Sequence, residues 1–155
     1  MQRQQTICIE ILLYLQNYIF KTNKHSLLIM NVKFFKCLNC GNVVMKVVDH
    51  SVPVFCCGAR MSELKPNTVD ADTEKHLPVV TAVDDHTIEV KIGSVPHPMT
   101  TEHNIGFIYV LTTTGGLVVP LDAEPRAVIS VEPQKVLEVY AYCNLHGLWM
   151  TRLEK

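Results

Sequence analysis

Ile88, Val90 and Ile92 alternate with Thr87, Glu89 and Lys91, the period-two pattern of a strand with one face in a core and the other in water. Strand-like stretches recur at 78–83, 105–112, 117–121, 126–131 and 136–143, separated by turn signals such as Asp84-Asp85 and Gly115-Gly116. No helical periodicity intervenes, so the pattern predicts a β-sandwich for this half of the chain. Upstream, shorter strand-like pieces at 43–47 and 52–55 lie among cysteines, and a core that small needs a staple. Lys65-Pro66-Asn67-Thr68-Val69-Asp70-Ala71-Asp72 is polar, contains breakers and reads as a linker. Helical spacing occurs only near the start, at Ile7, Ile11, Leu15, Tyr18 and Ile19. The polar face there has few cations, which argues against a membrane-surface role. Met30 is an alternative start, which would make residues 1–29 a dispensable extension and leave Cys8 and His25 without a role.

Composition narrows the function classes. The 155 residues carry 14 Lys+Arg and 15 Asp+Glu, a net charge of -1, which offers no electrostatic footprint for nucleic acid. With 48% hydrophobic and 19% charged residues, the chain can bury enough apolar surface to offset the entropy of ordering. Ile7 to Phe20 carries Glu10, Gln16 and Asn17, is followed by no small-residue cleavage site and is too short to span a bilayer. The expectation is therefore a cytoplasmic, reducing setting, where clustered cysteines hold metal more often than they pair.

Cys37-Leu38-Asn39-Cys40 and the adjacent Cys56-Cys57 supply four thiolates, the complement of one tetrahedral metal centre. Gly41 and Gly58 follow the two pairs and let backbone amides turn back toward the sulfurs. On spacing alone both zinc and iron are open, and zinc is the commoner occupant of such a knuckle. Zinc ribbons usually repeat a spaced pair, however, and adjacent side chains on an extended chain diverge, so Cys56-Cys57 should distort the tetrahedron.

At this point the sequence resembles the desulfoferrodoxin family, the two-iron superoxide reductases, whose N-terminal iron is held by a Cys-x-x-Cys and a Cys-Cys pair. The likeness continues through Glu74-Lys75-His76-Leu77-Pro78, Ser94-Val95-Pro96-His97-Pro98-Met99, Glu102-His103 and Cys143-Asn144-Leu145-His146-Gly147-Leu148-Trp149, in the family's order. It spans Phe34 to Met150, 117 of 155 residues. The resemblance implies that His76, His97, His103 and His146 are imidazole ligands and Cys143 the thiolate ligand of a second iron. His50 and His86 match nothing in the family pattern and read as surface residues. The chain departs from relatives at Asn104-Ile105-Gly106-Phe107, where larger aromatic and acidic residues are usual, and near Val119-Pro120, which lacks the usual Lys-Pro-Gly.

Physical chemistry agrees with the second assignment. Pro96 and Pro98 bracket His97, and Pro78 follows His76 closely, which restricts those loops. Four imidazoles and a thiolate exceed what tetrahedral zinc uses, and they leave one position of an octahedral iron for a small molecule. Ferrous iron with one thiolate remains net positive, whereas with four it is net negative. An anionic substrate should prefer the first arrangement, and the second suits holding an electron.

The resemblance also implies roles for the charges beside His76. Lys75 would attract superoxide and help organise water for proton delivery, and Glu74 would take the sixth position on oxidised iron. A thiolate opposite the open position donates density to the iron, which in this family favours release of peroxide over O–O cleavage. The expectation is an all-β chain: a small rubredoxin- or desulforedoxin-like four-cysteine iron domain at 30–66, then an immunoglobulin-like β-sandwich at 67–155. The implied activity is reduction of superoxide to hydrogen peroxide, with two irons per chain, a rubredoxin-like donor, a homodimer, and neither nucleic acid nor membrane as partner. The alternative from another class is a non-catalytic electron carrier or zinc-stapled interaction module.

Overall fold

A computed structural model describes residues 32–154, so the amphipathic stretch expected at 1–29, with Cys8 and His25, lies outside the described residues. Strands β1 (Lys33–Lys36), β2 (Val43–Lys46) and β5 (Ser62–Leu64) form an antiparallel sheet in the order β2-β1-β5, and β3 (Phe55–Cys56) pairs with β4 (Ala59–Arg60) in a short hairpin. After a single helical turn, α1 (Thr73–His76), two further sheets follow. One has the order β10-β7-β6, from Arg126–Ser130, Thr87–Ile92 and Pro78–Asp84. The other has the order β12-β11-β8-β9, from Gly147–Arg152, Val136–Cys143, Ile105–Thr112 and Gly115–Pro120. The described residues are almost all β, a small four-cysteine module followed by a sandwich of three- and four-stranded sheets, as the strand pattern predicts.

The sandwich core is built by alternation. Ile88, Val90 and Ile92 of β7 meet Ile108 and Val110 of β8 and Val139, Ala141 and Cys143 of β11, all of them buried. These positions recur at every second residue because a pleated strand sends successive side chains to opposite faces. Burying about ten such side chains, at about 1.5–3 kcal/mol each, offsets much of the ordering entropy.

The other face of the four-stranded sheet is not left to water. The buried Phe34 ring of β1 lies 5.6 Å from Phe107, 5.5 Å from Tyr109 and 5.9 Å from Tyr140. Alternation then turns Phe35 the other way, where it packs with Cys37 and Met61 in the small core of the four-cysteine module. On the same sheet Glu138 is 6% exposed and satisfied by Tyr140 and Arg152, whose side chain reaches it at 2.6 Å.

Four local expectations change. The piece at 52–55 forms strand only at Phe55, since Pro53 has no N–H for a ladder and Val52 is 64% exposed. Gly115-Gly116 is the start of β9 rather than the turn, which falls at Thr113-Thr114; a side chain at 116 would collide with the Tyr109 ring. The segment read as a linker is pinned to β12, because Asn67 Nδ2 donates to Met150 O at 2.9 Å and Met150 N donates to Asn67 Oδ1 at 2.8 Å. Strands β1 and β12 also lie outside the strands expected from the sequence. Among the described residues, no helix is long and apolar enough to cross a membrane.

Candidate metal centres

The first centre gathers Cys37, Cys40, Cys56 and Cys57, all free thiols. Cys40 Sγ lies 3.6 Å from Cys56 Sγ, and Cys56 Sγ 3.8 Å from Cys57 Sγ. A tetrahedron with metal–sulfur bonds of about 2.3 Å has edges of about 3.8 Å, so these separations fit a shared ion and are far too long for a disulfide. The expected distortion from adjacent cysteines is relieved by the backbone. Cys57 has φ +51, and the left-handed turn it makes with Gly58 brings two neighbouring side chains to one point. Gly41 plays the matching part after Cys40, with φ +79.

The electrostatics of this cluster call for a cation. The Cys40 amide and the other thiols draw the Cys37 thiol down, while hydrogen bonding with Cys40 pushes Cys56 and Cys57 up. One sulfur takes the charge and its neighbours resist; all four ionise together only around a positive ion.

The second centre brings together His76, His97, His103, Cys143 and His146, with their ligand atoms within 4.8 Å of one another. These residues come from α1, the loop after β7, the loop before β8, the end of β11 and the turn into β12. Ring centroids run 4.8 Å from His76 to His97, 4.5 Å to His103, 4.9 Å to His146 and 4.8 Å back to His76, while His76 and His103 stand 6.4 Å apart. Four sides near 4.7 Å and a longer cross-distance describe a square. The wholly buried Cys143 sits beside it, its Sγ 3.6 Å from His146 Nδ1.

Two of the imidazoles are oriented from behind. His76 Nδ1 lies 2.7 Å from Asp72 O and His97 Nδ1 2.6 Å from Pro98 O, so both carry their proton there and turn a bare Nε2 inward. His97 Nε2 and His103 Nε2 are buried without a hydrogen-bond partner, a cost that a metal bond removes. His76 Nε2 and His146 Nδ1 approach to 2.9 Å, about the separation of two nitrogens each ~2.1 Å from one ion at a right angle. Burial lowers the His76 and His103 pKa values and takes His97 to about 4, which keeps the rings neutral and ready to bind. It raises the Cys143 thiol, against the opposing pull of the His146 and Leu145 amides and the Lys36 charge. The donor set and its geometry fit iron at this centre.

Supporting residues that sequence reasoning missed complete the frame. Trp149 stacks on His76 at 4.7 Å and donates to His146 O at 3.1 Å, steadying two ligands. Asn144 ties the Glu102-His103-Asn104 loop to the Cys143 turn through its side chain, accepting from Asn104 N at 3.0 Å and donating to Glu102 O at 2.9 Å. Gly93, with φ +82, lets β7 turn close beneath α1, where any side chain would strike the carbonyls of Glu74 and Val95. Lys75 and Glu74 occupy α1 beside His76, and Lys75 Nζ is paired with Asp72 Oδ2 at 2.7 Å, a partner not foreseen from sequence. His50 and His86 take no part in either cluster.

Comparison with known proteins agrees with this geometry. The Desulfoferrodoxin family model matches residues 68–152. A desulfoferrodoxin of Syntrophotalea carbinolica is 40% identical over 122 residues, covering 76% of this chain and 94% of the relative. A superoxide reductase of Pyrococcus horikoshii is 34% identical over 100 residues, 52% of this chain and 87% of its own. The crystal structure of the superoxide reductase from Treponema pallidum superposes with a TM-score of 0.66 at 34% identity, covering 79% of this chain and 99% of that one. The residues matched by the family model include His76, His97, His103, Cys143 and His146 and the strands around them, and the chain belongs to the desulfoferrodoxin family.

Proposed function

We propose that the protein is a superoxide reductase, catalysing O2•− + e− + 2H+ → H2O2. The observation that carries this reading is the square of four imidazoles beside a buried thiolate, which is five donors for one ion and leaves one position for a small ligand. Iron held there would supply one-electron chemistry. His76, His97, His103, His146 and Cys143 would hold it.

The chain's own residues then divide the work. Lys75 would attract the anion and order water at this site, and Glu74 would close it after turnover. The pairing of Lys75 with Asp72 means that its charge acts at reduced strength while the pair is closed. Cys37, Cys40, Cys56 and Cys57 of the 30–66 domain would hold an iron able to store an electron, and residues 67–155 carry the reacting site. A rubredoxin-like donor supplies the electrons, and the active form is a homodimer.

Anaerobic isolation followed by metal analysis and a visible spectrum tests the assignment. Two irons per chain, a ferric four-thiolate spectrum and a longer-wavelength thiolate-to-iron band on oxidation are expected. Pulse radiolysis should then yield peroxide without O2. A colourless protein with zinc in the cysteine site and nothing in the histidine site would establish the stapled-module alternative instead.

A further inference from the structure

Strand β1 serves both centres. Cys37 follows it directly and turns into the four-cysteine cluster, while Lys36, one residue earlier, points to the opposite side. There its Nζ donates to Asn144 O at 2.9 Å and lies 5.6 Å from the Tyr142 ring centre, so the side chain bridges from one centre to the backbone of the other. The bridged peptide is a particular one. Its carbonyl belongs to Asn144, in the turn between Cys143 and His146, and the His146 N–H that closes this turn donates to the Cys143 sulfur at 3.3 Å.

We propose that Lys36 is a positioning residue for the second centre, holding the Asn144 carbonyl of the turn that follows Cys143 and setting a fixed positive charge there that withdraws electron density from the Cys143 thiolate. The Lys36 ammonium fixes the Asn144 carbonyl at one end of the turn, and the His146 N–H at its other end fixes the sulfur. The fixed positive charge adds a direct effect, since it favours the more negative, reduced state of any iron bound at Cys143. The placement of Lys36 comes from the ladders of β1 with β2 and β5, where it pairs with Val43 and Ser62, and not from metal in the four-cysteine site.

This inference rests on the proposed iron-binding reading, and its test separates the two. The full-length, iron-loaded protein and its Lys36→Met, Lys36→Gln and Lys36→Arg variants are titrated with redox mediators while the thiolate-to-iron band is followed. For a charge about 10 Å from the ion and an effective dielectric of about 20 to 40, removing it should weaken reduction about four- to fifteen-fold. That equals a potential about 35 to 70 mV lower at 59 mV per decade. The band should also move to longer wavelength in Lys36→Met and Lys36→Gln, because the sulfur becomes a better donor, and Lys36→Arg should keep both parental values. Should Lys36→Met load no iron, Gln against Arg carries the comparison. Parental potential and band in both neutral variants, or an Arg variant matching them, would overturn the proposal. A parent without any thiolate-to-iron band would instead overturn the superoxide reductase reading.

Discussion

His97 gives the sharpest quantitative expectation for the metal-free protein. Its ring is 3% exposed, and burial holds its pKa at about 4 against an ordinary 6.5. The unfolded chain therefore takes up a proton well before the folded one does. Stability that is complete above pH 6.5 is lost as the pH falls toward 4, and the loss levels off below that. At pH 4.5 the unfolded ring is almost fully protonated and the folded ring only about one quarter so, which corresponds to about 2.5 kcal/mol lost relative to pH 7. His97→Asn removes this contribution while keeping a donor for Pro98 O, which the Nδ1 position now serves. The assay is urea unfolding of chelated, reduced protein at pH 7 and pH 4.5, followed by the fluorescence of Trp149, the one tryptophan in the chain. The parent should lose about 2–3 kcal/mol more than the variant between the two pH values. Equal losses would mean that the His97 pocket is wetter in solution than its burial implies, and the account of why these rings stay neutral would fail.

Three further outcomes are expected. Cys57→Ser should remove or weaken the four-thiolate iron spectrum and leave the reaction of the reduced second centre with superoxide nearly unchanged, as pulse radiolysis can measure, because the clusters share no residue. Asp72→Asn should release Lys75 and speed that reaction a few-fold at low ionic strength, whereas Lys75→Met should slow it about tenfold and flatten its salt dependence. Phe34→Ala should cost about 3–5 kcal/mol in denaturant unfolding, since it empties the space between Phe107, Tyr109 and Tyr140.

Sequence carried the sandwich well because β7 alternates cleanly between core and water, and the boundaries of β8 and β11 fell where the hydrophobic runs end. Strands covered on both faces were harder to read. In β1 both Phe34 and Phe35 are buried, and in β12 both Leu148 and Trp149 are, so neither strand shows a two-residue rhythm. The histidines and cysteines were legible through motif order, since ligand chemistry demands those side chains. The groups that orient them were not. Asp72 and Pro98 act through backbone carbonyls, which any residue possesses, and Lys36 and Asn144 meet across 108 positions of chain. Only Asn144 and Trp149 left a trace, as the residues that share the Cys143–His146 motif.

The two-sidedness of β1 also makes this strand intolerant of changes in length. Deleting or inserting a single residue between Lys33 and Cys37 would exchange inside for outside along the remainder. A cysteine would then face the aromatic sheet and a lysine would enter the thiolate cluster, damaging both centres with one frame error in the fold. A substitution such as Phe35→Leu would disturb only the side it faces. Mutational libraries built over 33–37 should accordingly accept conservative exchanges more readily than indels, whereas the exposed segment at 50–52 should accept both.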